Sequence, residues 1–274
     1  MGVVKIMLDA EYREFLAKLK SLRLSRLAEV LDAELKRAVE ANLSYLDFLR
    51  RLVDRELEDR QAKAVQTRFK KSRMPAVKTL ESFDFSFQPS LNPQKIWELA
   101  ELRFLRQHEN VLFLGPPGVG KTHLALALGF KACQAGYKVL FTTLSEMAAA
   151  LHAARADGSH MSALKTYVAP DLLIIDEMGY LPVEAHVANY FFQIVARRYE
   201  RGSIIITSNK SFSDWGQMLG DPVLAGAVLD RLLHHSTVIT INGPSYRLRN
   251  RSKTGEPKTE TSPSSVVTKS GEFT

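Results

Sequence analysis

A single cysteine, Cys133, excludes an intramolecular disulfide and any multi-cysteine zinc site. It falls in a helical stretch, residues 124–135, as a buried and inert thiol, and such sparse usage fits a reducing compartment, the cytoplasm. No apolar run approaches the roughly 18 residues that a membrane span needs, and residues 1–10 lack the basic-then-apolar layout of a signal peptide. Glycine and proline are missing from residues 11–69, and acidic residues from 60–78. Neither charge nor hydrophobicity is extreme. The 37 Lys and Arg against 30 Asp and Glu leave +7 over 274 residues, with 45% hydrophobic residues, the balance of one or two globular domains rather than of a disordered or fibrous chain. A net basic chain suits an acidic partner such as nucleic acid, and the distribution of the charge says more than its sum.

The stretch without glycine or proline is dense in Leu, Glu, Lys and Arg. Leu24, Leu27, Leu31 and Leu35 step by three and four, as do Leu46, Leu49, Val53 and Leu57 after a break at Ala41-Asn42-Leu43. Each series predicts one apolar helix face, and Ser44 with Asp47 predicts a capping box opening the later helix. Residues 1–70 are therefore expected to form a small helical N-terminal domain. The acid-free run that follows, Lys70, Lys71 and Arg73 included, reads either as a solvated helix end with a linker or as a contact to phosphates. Residues 83–89 alternate like a short strand or extended loop ahead of a helix near 93–104.

From Asn110 the texture changes. Short runs rich in branched or aromatic residues, at 111–114, 139–141, 172–175, 204–206 and 238–241, are separated by helix-length segments. That alternation predicts an α/β domain, residues 96–250, with a five-stranded parallel sheet covered on both faces. Some thirty residues remain after Ile241, and residues 251–274 are expected to be a disordered tail. Residues 71–95 are expected to serve as a basic linker.

Gly115-Pro116-Pro117-Gly118-Val119-Gly120-Lys121-Thr122 satisfies G-x-x-x-x-G-K-[ST] between a predicted strand and a predicted helix. Its glycines let successive N–H groups face one point at a helix N-terminus, which suits a phosphate. Lys121 is expected to reach the β- and γ-phosphates of ATP, and the Thr122 hydroxyl to bind Mg²⁺. Asp176 and Glu177 close the strand at 172–175, the edge where doubly wound sheets bind ligands. Asp176 is expected to hold the metal and Glu177 to polarise the attacking water. That second acid favours hydrolysis over transfer to a small-molecule acceptor. Asn209, after the next strand, could orient the water or sense the γ-phosphate, although a turn Asn is also a common structural cap.

The glycine loop continued through His123, Leu124 and Ala125, the Asp176-Glu177 strand, the Thr207-Ser208-Asn209 turn and Leu229-Asp230-Arg231-Leu232-Leu233-His234-His235 together resemble the IstB family. These are P-loop AAA+ ATPases that assist transposases of bacterial insertion sequences, and they are relatives of DnaC-type helicase loaders. The resemblance runs from about Leu16 to Arg249. It implies a lidless AAA+ core, since the stretch after Ile241 is too short for the usual C-terminal lid, with residues 71–95 as basic linker and nucleotide-base loop, a homo-oligomer with ATP at subunit interfaces, and His123 among the nucleotide-binding residues. It further implies that Arg231 reaches the neighbouring subunit's site. The expected function is that of an ATP-dependent regulator that assembles on double-stranded DNA and assists a transposase. A DnaC-like helicase loader is the alternative. For DNA, Arg155 and Lys165, in the segment after the 139–141 strand, join Lys70, Lys71 and Arg73 as candidates for salt-dependent phosphate contacts.

Overall fold

The computed structural model describes residues 2–179 and 184–249; the expected tail at 251–274 lies outside them. Three helices come first: α1 (Gly2–Ser21), α2 (Ser25–Glu40) and α3 (Tyr45–Lys71). The short helices α4 (Pro93–Ala100) and α5 (Arg103–Arg106) then lead into β1 (Asn110–Leu114) and α6 (Lys121–Gln134). Next come β2 (Val139–Thr143), α7 (Leu144–Ala156), α8 (His160–Val168), β3 (Leu172–Met178), α9 (Ala185–Arg198) and β4 (Ser203–Ser208). The described chain closes with α10 (Trp215–Leu219), α11 (Pro222–His234) and β5 (Ser236–Thr240). After β5 the described residues hold only a 3-10 turn, Tyr246–Leu248, and no helical lid.

All four strand pairings are parallel, and the order is β2-β3-β4-β1-β5. Alternate strand residues face opposite sides, and both sides are apolar. Val111, Phe113, Leu172, Ile174 and Ile205 join a core with α6, while Leu112, Leu173, Ile175, Ile204 and Ile206 join a second core with α7, α9 and α11. Two buried faces explain why these strands read in sequence as unbroken apolar runs. The segment between α3 and α4 is not a free linker. Met74, Leu80 and Leu91 are buried in the α6-side core, and the Phe141 N–H donates to Ser72 O at 2.7 Å along the edge strand β2.

Two local expectations change. Residues 85–87 form a 3-10 turn capped by the Asp84 side chain rather than a strand. The helix expected near 93–104 divides into α4 and α5 because Leu102 takes a left-handed conformation, φ +58°.

The N-terminal helices form their own small core of Leu19, Leu27, Leu31 and Leu52, with Phe48 packed against it. Ser44 caps α3 as expected, its hydroxyl accepting from the Asp47 N–H at 3.1 Å. The face expected from Leu46, Leu49, Val53 and Leu57 is exposed; Phe48, Leu52 and Glu56, on the neighbouring stripe, meet α2 instead. Glu56 explains that rotation. No side chain of its own caps α2, and Glu56 Oε2 accepts from the Leu27 N–H at 2.9 Å, capping α2 from α3. Arg60 pairs with Glu56 at 2.9 Å and also donates to Arg23 O at 2.7 Å.

Burial pushes the Glu56 carboxyl up, but hydrogen bonds from Leu27 and Arg60, with the charge of Arg60, outweigh it and leave the pKa lowered. A carboxyl depressed in the folded state stabilises above its unfolded pKa, and that contribution is lost as pH falls through the folded value. Glu56→Ala should therefore destabilise these helices by about 1 kcal/mol at neutral pH, the usual cost of a lost cap. The deficit should shrink in acid. Urea melts followed at neutral pH and near pH 3 test this, and an equal deficit at both would remove the carboxylate from the explanation.

Candidate functional site

The C-terminal ends of β1, β3 and β4 converge on a cavity of about 470 Å³. The glycine loop forms its floor. Gly118 and Gly120 have φ of +83° and +101°, and a Cβ on either would strike Ser245 or the Phe83 ring. Only glycine gives this loop both its handedness and its room. Gly115, Pro116, Pro117 and Val119 complete the turn, and Lys121 and Thr122 open α6. Lys121 Nζ donates to Gly115 O at 2.7 Å and Pro116 O at 2.8 Å. Burial lowers its pKa; Asp176 opposes that shift and Arg247 adds to it. Two neutral carbonyls do not compensate a buried ammonium, and a phosphate would.

Asp176 and Glu177 sit in an irregularity of β3. Its register against β4 shifts between Ile175 and Met178, and Glu177 has φ +60°. Bulges beside active sites re-aim side chains. Asp176 is buried and Glu177 exposed at the cavity, so neighbouring carboxylates face different environments. The Thr122 hydroxyl donates to Asp176 Oδ1 at 2.9 Å and also lies 3.1 Å from Oδ2. The loop residue and the strand acid expected to share a metal are thus already in contact. Hydroxyl and carboxylate oxygens are the donor set that Mg²⁺ takes.

Thr207 holds the bulge, a role that sequence reasoning missed. Its hydroxyl donates to Asp176 Oδ1 and accepts from the Glu177 N–H at 3.1 Å. The contact exists because β4 lies beside β3 in the sheet, which local sequence does not reveal. Asn209 lines the cavity, and its Oδ1 is buried without a hydrogen-bond partner.

The opposite wall comes from the chain ends of the domain. Lys78, Ser82, Phe83 and Asp84 line it. His123 fastens this segment: its Nε2 lies 2.9 Å from Thr79 O and 3.3 Å from Ser82 Oγ, and its ring meets Phe83 edge-on at 5.3 Å. The segment after β5 folds over the glycine loop, with the Tyr246 N–H donating to Gly118 O at 2.9 Å. Arg249 pairs with Asp84 at 2.6 Å, joining the two flanks. Tyr246 and Arg247 both line the cavity, and sequence had given neither a firm role.

Arg231 does not line this cavity. It lies on α11, with Nη1 donating to Ala227 O at 3.0 Å and its guanidinium 4.9 Å from the centre of the Phe192 ring. Lys70, Lys71, Arg73, Arg155 and Lys165 are all exposed. Among the described residues, no helix is long and apolar enough to cross a membrane.

The chain matches the family described as IstB-like ATP binding protein over residues 17–254. It is 48% identical over 230 residues to the insertion sequence IS5376 ATP-binding protein of Geobacillus stearothermophilus, covering 84% of this chain and 92% of that one. It is 46% identical over 256 residues to the insertion sequence IS21 ATP-binding protein of Pseudomonas aeruginosa, covering 93% and 97%. Among solved structures, AMPPCP-bound DnaA from Aquifex aeolicus superposes with a TM-score of 0.52 at 22% identity, over 66% of this chain and 55% of that one, a likeness of fold.

Proposed function

Because this chain belongs to the IstB-like ATP-binding protein family, we propose that it is an AAA+ ATPase and an ATP-driven, DNA-binding helper of an insertion-sequence transposase. One observation carries the ATPase half: the glycine loop, Lys121 and Glu177 line one cavity, and Asp176 is bonded to the loop's Thr122 just beneath it. The transposition half draws support from near full-length likeness to insertion-sequence proteins.

In this reading the loop N–H groups and Lys121 bind the ATP phosphates, at the positive end of α6. Thr122 and Asp176 hold Mg²⁺, which when bound offsets charge on the phosphate oxygens. Glu177, exposed at the cavity, accepts a proton from the attacking water, and Asn209 orients that water. His123 keeps the 78–84 segment against the loop, where it shapes the space for the base. Arg231 acts on a neighbouring copy's site, consistent with its place on α11 away from its own cavity. Lys70, Lys71 and Arg73 beside the β2 edge, with Arg155 and Lys165 on α7 and α8, supply phosphate contacts to duplex DNA.

Sedimentation with a duplex of about fifty base pairs tests this reading. A large complex should form with a slowly hydrolysed ATP analogue and dissolve as salt rises, because each phosphate contact releases counterions. Replacing Lys70, Lys71 and Arg73 by glutamine should weaken it across all sequences and flatten its salt dependence. A protein that leaves duplex free under every condition sinks the DNA-helper reading, and the helicase-loader reading then takes its place.

A further inference from the structure

Outside the nucleotide cavity, three metal-ligating side chains from two elements meet. His152 lies on α7, Glu184 immediately precedes α9, and His186 is in its first turn. His152 Nδ1 is 3.3 Å from His186 Nε2 and 3.7 Å from Glu184 Oε2, while His186 Nδ1 is 3.2 Å from that same oxygen. The His186 side chain is only 17% exposed, and the Tyr190 ring stands edge-on to it at 6.4 Å. Packing thus fixes one imidazole, while His152 and Glu184 reach it from the exposed side.

We propose that His152, Glu184 and His186 bind one divalent ion of the zinc class and so tie α7 to the start of α9. Tetrahedral zinc, with its ligand atoms at 2.0–2.1 Å, spaces them about 3.3 Å apart. Here one ligand atom from each residue lies within 4.8 Å of the others, so small side-chain turns complete the triangle. Two imidazoles with one carboxylate favour zinc over magnesium or calcium, which prefer oxygen ligands. The fourth position is left to water or to a group from another molecule.

A second cluster, Glu200, His234 and His235, also gathers three ligands. It has no partly buried ligand to match His186, and the Tyr199 hydroxyl lies 2.5 Å from His234 Nδ1, occupying that nitrogen. It is the natural control. The site lies apart from ATP chemistry, and His152 is one helical turn from Arg155 on α7. A bound ion would therefore stiffen the backbone that presents that arginine.

Zinc titration of the full chain, with magnesium present in excess and by competition with a chromophoric chelator, tests the proposal. One zinc per subunit should bind, and H152A and H186A should each weaken it about tenfold or more, as lost ligand-sphere groups do. H234A/H235A should leave it unchanged. Zinc should also raise the melting temperature of the wild type and not of H152A/H186A, whose metal-free circular dichroism should match the wild type. H186N gives a second, milder variant should H186A unfold. No stoichiometric zinc, retention of binding in H152A/H186A, or its loss in H234A/H235A would overturn the assignment.

Discussion

Glu177→Gln should leave a protein that binds ATP normally and hydrolyses it at least about 100-fold more slowly, the lower range for loss of a general base. The side chain lies at the cavity and makes none of the contacts that hold the glycine loop, so nucleotide affinity should survive. Its left-handed backbone, φ +60°, is sparsely populated for a residue with a Cβ, and it persists because Thr207 takes its N–H and grips Asp176 beside it. Glutamine keeps that backbone and removes only the proton acceptor. Phosphate release and binding of a fluorescent ATP analogue separate the two effects. Hydrolysis at the wild-type rate would place the base elsewhere. Mixing E177Q with R231A subunits extends the test, since an R231A site that receives Arg231 from an E177Q neighbour should regain activity.

Arg198→Met should cost the fold about 3–5 kcal/mol, because buried acceptors lose charged donors. Arg198 is 1% exposed. Its Nη1 donates to the carbonyls of Tyr167, Val168 and Pro170, and its Nη2 to those of Asp171 and Ser203, at 2.7–3.1 Å. One guanidinium thus joins the end of α8, the turn into β3 and the start of β4. The net loss stays below the sum of five bonds. Burial drags the Arg198 pKa down to about 10, and methionine relieves that desolvation cost. Lysine should recover little, because an ammonium cannot fork to carbonyls on two sides. The shift in urea midpoint measures the effect, and a loss under about 1 kcal/mol would mean that water reaches those carbonyls.

The sheet and the glycine loop were legible in the sequence for a physical reason. Strands buried on both faces must be apolar at every position, so 111–114, 172–175 and 204–206 stood out. The loop's chemistry needs glycine at fixed places. Asp176 and Glu177 were legible as acids ending such a strand. Their division into one buried and one exposed carboxylate was not, because it depends on a bulge held by Thr207 from another strand. On α3, leucine spacing pointed to the wrong stripe. Leu46, Leu49, Val53 and Leu57 have the right period, but Glu56 reaches the open end of α2 and fixes the rotation of the helix. A polar group settled what the apolar pattern left open. The flank 241–249 carries little hydrophobic signal, and only contacts at long sequence separation show that it closes over the loop.

The 27 residues of α3 form one unbroken rod about 40 Å long. Its final turns are clamped to α6, the helix that begins at Lys121: Phe69 meets Phe130 edge-on at 5.8 Å, and Arg68 donates to Cys133 O. Such a rod is a lever with its fulcrum on the glycine-loop helix. A tilt of α6 by about 5° at the base carries the far end of α3 through about 3.5 Å, roughly one side-chain contact. The exposed leucines lie along that arm, so such a tilt would displace whatever rests near its far end about two to three times farther than the glycine-loop end of α6.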